Sequence, residues 1–117
     1  KSYGEMVITQ RGSMPKAGDV VITRVQFADS EGSKIRPALV LFEELGNIII
    51  AGITTNLKMK GIRIYTNEGA AQESVIKLNY IFTITDSAII KTVFRLSPEK
   101  RRLVFEEFIK KLESLKA

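Results

Sequence analysis

Short runs of β-branched residues, separated by turn signals, fill most of this chain between Asp19 and Phe94. The first run, Asp19 to Phe27, is rich in valine, isoleucine and threonine, which is typical of a strand covered in part on both faces. Ile48 to Thr55 is the most apolar run and predicts a central strand. Gly61 to Thr66 alternates apolar and polar residues, as a half-buried antiparallel strand does. Such short runs favour an antiparallel sheet.

The remaining β-type runs have the same character, and turn residues separate them. Asp, Ser, Glu and Gly dominate Ala28 to Lys34, which predicts an exposed loop between the first two strands. The turn Leu45-Gly46-Asn47 and a loop at Glu68 to Gln72 interrupt the chain further on. The further strands predicted are Pro37 to Phe42, Ser74 to Leu78, Tyr80 to Thr85 as its extension or successor, and Ala88 to Phe94.

One helix is predicted, and it comes last. Ser97 can cap it, Pro98 suits the first helical position and Glu99 complements the helix dipole. Apolar residues then recur every three or four positions and form one stripe that we expect to pack on the sheet: Val104, Phe105, Phe108, Ile109, Leu112 and Leu115. The pattern predicts an α+β domain, a small curled antiparallel sheet or barrel with a C-terminal amphipathic helix.

The length of 117 residues and a hydrophobic content of 44% suit one modest core and a single domain. The segment Arg11-Gly12-Ser13-Met14 resembles an artificial junction, with Met14 a natural start. We therefore expect residues 1–13 to be an added leader or a disordered extension, and residues 14–117 to form the domain.

The net charge of +5 and an isoelectric point near 9.6 favour a polyanionic partner. Without cysteine or histidine, the chain lacks thiolate chemistry, the usual transition-metal ligands and the usual near-neutral proton shuttle. No apolar run approaches the length of about 20 residues that spans a bilayer, and no secretion signal is evident. We expect a cytoplasmic protein with no membrane association.

Arg36 is the first candidate for a functional residue, because it stands directly before Pro37 where a polar loop enters an apolar run. A guanidinium held at such a position can face a phosphate with several hydrogen-bond donors. A surface charge at a strand entrance is the structural alternative. Gly32-Ser33-Lys34 does not form a phosphate-binding P-loop, because the preceding spaced glycine and the following helix are absent.

Several segments together resemble the MazF/PemK toxins, small endoribonucleases of toxin–antitoxin pairs. The resemblance extends from Gly18 to about Lys111. The matching segments are GDVV at 18–21, RPALV at 36–40, AGIT at 51–54, SVI at 74–76 and TI at 83–84.

This resemblance implies a small barrel-like fold of the MazF/PemK and CcdB type, normally a homodimer, that cleaves single-stranded RNA without metal or cofactor. In that reaction the 2′-hydroxyl attacks the adjacent phosphate. Arg36 matches the family's catalytic arginine and Thr54 its catalytic serine or threonine. A cognate antitoxin, whose extended acidic or apolar segment covers the basic groove, is the implied inhibitor. The polar residues expected to contact RNA are Lys34, Thr55, Lys58, Lys60, Lys77 and Asn79.

The sequence departs from the family pattern on one strand, where some members carry Arg and Asp, and many follow them with Gln and a second Arg. Lys77, Asn79, Tyr80 and Phe82 stand at these positions. Lysine loses bidentate geometry and asparagine cannot act as a carboxylate base, so the general base is unidentified. Asp29 and Glu31 in the preceding loop are candidates for it, although exposed loop carboxylates are commonly only solvated. We expect Phe82 to belong to the core.

Two alternatives follow from these departures. The first is a catalytically weak or inactive module on the same fold that binds nucleic acid or a partner. The second is a related toxin that poisons DNA gyrase, which the absence of a C-terminal aromatic element disfavours. The basic segment at 58–65, which includes Arg63 and Tyr65, could bind phosphate or be a solvated edge. Lys100-Arg101-Arg102 and Lys110-Lys111 are expected on the solvated face of the helix.

Overall fold

The computed structural model describes residues 14–26 and 32–117. The strands are β1 (Asp19–Gln26), β2 (Ser33–Glu44), β3 (Asn47–Thr54), β4 (Ile62–Ile64), β5 (Ser74–Thr85) and β6 (Ile89–Arg95). Helix α1 (Pro98–Leu112) follows, and short 3-10 helices span Thr66–Glu68, Asp86–Ala88 and Glu113–Lys116. The predicted leader at 1–13 and the two loop carboxylates, Asp29 and Glu31, lie outside the described residues.

The six strands form one antiparallel sheet in the order β4-β5-β3-β2-β1-β6. The predicted central strand is β3, the third of the six. The sheet curls into a half-barrel, and the single α-helix described comes at the C-terminal end, so the predicted α+β class is confirmed. No helix in the described ranges is long and apolar enough to cross a lipid bilayer.

The two faces of the sheet carry separate apolar clusters. The cluster on the helix side includes Leu39, Ile76 and Val104 of α1. The cluster on the opposite side includes Val40 and Ile50, with Phe82 packed against it. Because strand side chains alternate between faces, a residue's parity determines the cluster to which it belongs.

The start of β2 differs from the sequence prediction. The loop was expected to reach Lys34, but β2 begins at Ser33, so Arg36 lies inside a twelve-residue strand and not at its entrance. Pairing with β1 explains the difference, since Gln26 faces Ser33. Pro37 is tolerated because β2 pairs with β3 only from Ala38 onward, which leaves this part of β2 an edge on that side.

The two predicted strands at 74–78 and 80–85 form one interrupted strand. Gly52 of β3 pairs with Lys77, whereas its neighbour Ala51 pairs with Ile81. The three residues between Lys77 and Ile81 are therefore unmatched on β3 and form a bulge in β5, which we call the β5 bulge (residues 78–80). Bulges of this kind bend a strand and redirect its side chains.

The helix begins as the sequence predicts, because the Ser97 hydroxyl accepts a hydrogen bond of 3.1 Å from the backbone N–H of Lys100. The apolar stripe is only partly used. Val104 is buried and Phe108 partly buried, whereas Phe105 is 64% exposed. The prediction that the helix packs on the sheet is confirmed by Val104 and Phe108, although the sheet does not cover the whole stripe. The other exposed stripe residues are Ile109, Leu112 and Leu115.

Lys100 joins α1 to the strand edge at β4. Its ammonium donates to the carbonyl of Arg63 at 2.6 Å, pairs with Glu68 at 3.2 Å and lies 5.4 Å from the ring centre of Tyr65. Glu68 also accepts a hydrogen bond of 3.0 Å from the backbone N–H of Tyr65. Both members of the ion pair are mostly buried, so water screens this contact less than a surface pair.

Replacement of Lys100 by methionine is expected to lower the free energy of unfolding by about 1–2 kcal/mol, because the carbonyl and carboxylate lose a charged donor. Urea unfolding measures this change. Lys110→Met is the matched control, since Lys110 is exposed and pairs with Glu107 on the helix surface; its effect is expected to stay below about 0.5 kcal/mol. Equal effects in the two variants would contradict the assigned role of Lys100.

Candidate active site

The register of β2 and β3 brings Arg36 and Thr54 to facing positions. Ala38 pairs with Gly52 and Leu39 with Ala51. The same register, continued two residues along each strand, matches Arg36 with Thr54. Both residues have the parity of Ala38 and Ile50, so they lie on the sheet face opposite α1.

Arg36 is exposed and is held by a local contact. Its Nη1 donates a hydrogen bond of 3.1 Å to the carbonyl of Ile35. Within the described ranges, no carboxylate forms an ion pair with its guanidinium. None of the described carboxylates therefore occupies the remaining donors of the planar fork, which can bind an anion.

Thr54 ends β3, and its side chain shapes the turn that follows. Its Oγ1 accepts a hydrogen bond of 3.1 Å from the backbone N–H of Asn56, whose Oδ1 in turn accepts one from the N–H of Lys58. The hydroxyl proton of Thr54 remains available for donation to a ligand. Thr55 lies just beyond the end of β3 and lines the same pocket as Thr54.

Lys77 lies on the same face, where β5 pairs with Gly52. The residue is only 6% exposed, yet none of the described carboxylates pairs with it. The contact that it makes is with the ring of Tyr80, whose centre is 5.0 Å from its Nζ. Within the described residues, the charge of Lys77 is therefore balanced by no carboxylate and is stabilised by a cation–π contact.

These groups surround one open pocket of about 440 Å³ on this face. Apolar side chains such as Val25, Ile35 and Pro37 also line it. The described lining residues include two cations, Arg36 and Lys77, and no carboxylate. The pocket is therefore suited to an anion, and a phosphate can accept hydrogen bonds from the guanidinium, the ammonium and the threonine hydroxyl together.

The other predicted contact residues are not all near this pocket. Lys60 and Asn79 line a second groove of about 660 Å³ between the β4–β5 edge and α1, and Lys77 lines both cavities. Lys34 and Lys58 are exposed and line neither. The structure thus brings Arg36, Thr54, Thr55 and Lys77 together, and separates the remaining four from them.

Two aromatic residues of the pocket were missed as site residues. Tyr80 lines it because the β5 bulge redirects the strand, and Phe82 both lines it and packs against the cluster below. Phe82 is partly buried, so the expectation of a core residue describes only one of its two roles. The polar pair Asn79-Tyr80 within an apolar strand was the sequence signal of the bulge.

Replacement of Lys77 by methionine is expected to leave the free energy of unfolding unchanged or to raise it by about 1 kcal/mol, because it removes a charge that no described carboxylate balances. Urea unfolding tests this directly. A loss of more than about 1 kcal/mol would show that Lys77 supports the fold and is not retained for a ligand.

The sequence matches the model of one known protein family. The family model of PemK-like, MazF-like toxins of type II toxin–antitoxin systems matches residues 16–112. No curated protein sequence matches significantly.

Solved structures share the fold at low identity. The Mycobacterium tuberculosis toxin MazF-mt6 is 22% identical, with a TM-score of 0.63 over 80% of this chain and 96% of that one. A MazE–MazF structure from Deinococcus radiodurans is 18% identical, with a TM-score of 0.66 over 85% and 96%. An endoribonuclease in complex with its cognate antitoxin from a mycobacterial species is 12% identical, with a TM-score of 0.58 over 84% and 91%. Because the family model covers most of its length, this chain belongs to the PemK-like, MazF-like toxin family.

Proposed function

We propose that this toxin is an endoribonuclease that cleaves single-stranded RNA in the pocket of Arg36, Thr54 and Lys77. The observation that carries the proposal is that Arg36, Thr54 and Lys77 line one pocket, with no carboxylate among its described lining residues. Family membership and the endoribonuclease named among the structural relatives support it.

The proposed reaction needs neither a metal ion nor a protein nucleophile. The 2′-oxygen of the RNA attacks the adjacent phosphorus, its proton leaves to a base, and the bond from phosphorus to the 5′-oxygen breaks. The departing oxygen takes up a proton, so the products are a 2′,3′-cyclic phosphate and a 5′-hydroxyl. Arg36 and Lys77 stabilise the charge that develops on the non-bridging oxygens, and the Thr54 hydroxyl donates a further hydrogen bond to the phosphate or orients the attacking group.

The lining of the pocket favours a second candidate function, which is RNA binding without turnover. Among its described residues there is no carboxylate or histidine to accept the 2′-proton. The protein would then hold the phosphate with the same cations and leave the strand intact. The two functions differ in one observable, the appearance of cut RNA.

We also propose a cognate antitoxin as partner, because two of the structural relatives are complexes of toxin with antitoxin. A basic pocket of this kind suits an extended acidic segment that competes with RNA. We further propose that the toxin acts as a homodimer in the cytoplasm.

Cleavage of a defined single-stranded RNA in excess chelator tests the assignment of the site. Arg36→Ala is expected to lower kcat/KM by about 10²–10³-fold, because a preorganised charged donor is lost. Arg36→Lys is expected to retain part of the activity, since it keeps the charge without the fork. Thr54→Val, which removes one hydrogen bond, is expected to cost about tenfold.

Arg24→Ala is the matched control. Arg24 is an exposed arginine on β1. It precedes Val25, which lines the pocket, so strand alternation places the Arg24 side chain on the other face of the sheet. Its replacement is expected to leave the rate unchanged. Undiminished cleavage by Arg36→Ala would refute the site, and binding of RNA with no cleavage by the wild type would establish the second candidate function.

A further inference from the structure

The groove between the β4–β5 edge and α1 is a second basic site, on the other face of the sheet from the candidate active-site pocket. It is larger than that pocket, at about 660 Å³ against 440 Å³. Its lining combines residues distant in sequence, since Lys60 and Arg63 precede β5 while Lys111 lies near the end of α1. We call it the helix-side groove, after its lining residues Lys60, Arg63, Tyr65, Asn79, Leu103 and Lys111.

The cations of the helix-side groove are only partly neutralised by the protein. Lys100 is committed to Glu68, and Arg63 pairs at 3.6 Å with Glu73. By contrast, Lys60, Lys77 and Lys111 have no carboxylate partner within the described ranges. The acidic residue in the described lining is Glu107, and Lys110 already pairs with it. The groove therefore carries a net positive potential toward a ligand.

Two neutral groups indicate what kind of anion suits the groove. Tyr65 is 41% exposed and offers ring surface for stacking on a base, although Lys100 also contacts the ring. Asn79 is exposed on the β5 bulge, and its amide can both donate to and accept from a base edge. An acidic peptide would use the lysines but would gain less from an aromatic ring and an amide.

Lys77 connects the helix-side groove to the candidate active-site pocket, because it lines both cavities. A strand with one phosphate beside Lys77 in the pocket can therefore continue toward the cations of the helix-side groove. A strand of this kind can turn around the bulge because single-stranded RNA is flexible and its bases can be splayed out.

We propose that the helix-side groove binds the RNA strand that flanks the cleavage site, through phosphate contacts to Lys60 and Lys111 and stacking on Tyr65. This inference rests on the proposed function for the identity of the ligand. The sequence predicted Lys111 on the solvated face of the helix. In the fold, Lys111 and Lys60 line the same groove. The groove makes long RNA a better ligand than a short one that fills only the pocket.

The test measures binding of two 2′-O-methylated RNAs, which cannot be cleaved because the attacking hydroxyl is blocked. One is short, and the other is the same RNA extended by flanking nucleotides on both sides. The test variant is Lys60→Glu with Lys111→Glu. The control is Lys91→Glu with Lys116→Glu, two exposed lysines outside both cavities that give the same change in net charge.

We expect the wild type to bind the long RNA more tightly than the short one. The test variant is expected to lose about tenfold in affinity for the long RNA, and the slope of log K against log salt to fall by about 1.4, since each lost single-strand phosphate contact removes about 0.7. Binding of the short RNA is expected to change no more than in the control variant. Urea unfolding of both variants checks that they are folded, and Lys60→Gln with Lys111→Gln gives a smaller change of the same sign.

Equal losses of affinity for the long RNA in the test and control variants would contradict RNA binding in the groove, because only the overall charge of the protein would then matter. Unchanged RNA binding with weakened binding of an acidic antitoxin segment would also overturn it in favour of a peptide site. The proposed function is tested separately by cleavage of unmodified RNA. Length-dependent binding without cleavage would support RNA binding in the groove and contradict the proposed nuclease activity. Cleavage without length-dependent binding would support the nuclease activity and contradict RNA binding in the groove.

Discussion

The pairing of β2 with β3 is the constraint on which the candidate site depends. It joins Ala38 to Gly52 and ends there, and the same register continued along both strands matches Arg36 with Thr54 just beyond the last paired residues. On its other side β2 remains paired to β1, which keeps Arg36 on a fixed backbone. Pro37 is compatible with this arrangement because it stands where one side of β2 has no partner. The proposed reactive position is thus built from a regular strand that is open on one side.

The bulge in β5 places side chains where a regular strand would not place them. Without it, the residues after Lys77 would continue the ladder along β3; with it, Tyr80 lines the pocket and Asn79 lines the groove on the other face. Lys77 lies at the junction of the two cavities, buried and without an acidic partner among the described residues. An anion bound beside Lys77 would supply the opposite charge that no described carboxylate provides. The same residue therefore links packing, binding and the proposed chemistry.

Much of this fold follows from local sequence signals, and most of the site does not. The helix start at Ser97 and Pro98 and the apolar core of β3 depend on neighbouring residues, so pattern alone predicts them. Arg36 was identified by its place before Pro37 and then, like Thr54, by resemblance. Their meeting in one pocket depends on strand register, which single-strand patterns do not encode. The separation of Lys60 from the pocket, and its meeting with Lys111, arise from long-range packing of α1 on the sheet. A lysine looks the same in sequence whether it is solvated or lies in a basic groove.

The central claim is that this pocket converts a phosphodiester of single-stranded RNA by attack of its own 2′-hydroxyl. The most direct measurement is the chemical identity of the ends formed when a defined RNA is incubated with the toxin in excess chelator. The account predicts a 2′,3′-cyclic phosphate on one fragment and a free 5′-hydroxyl on the other, at a reproducible position. A 5′-phosphate with a 3′-hydroxyl, which requires attack by water or another external nucleophile, would contradict it, as would cleavage that stops when divalent cations are removed.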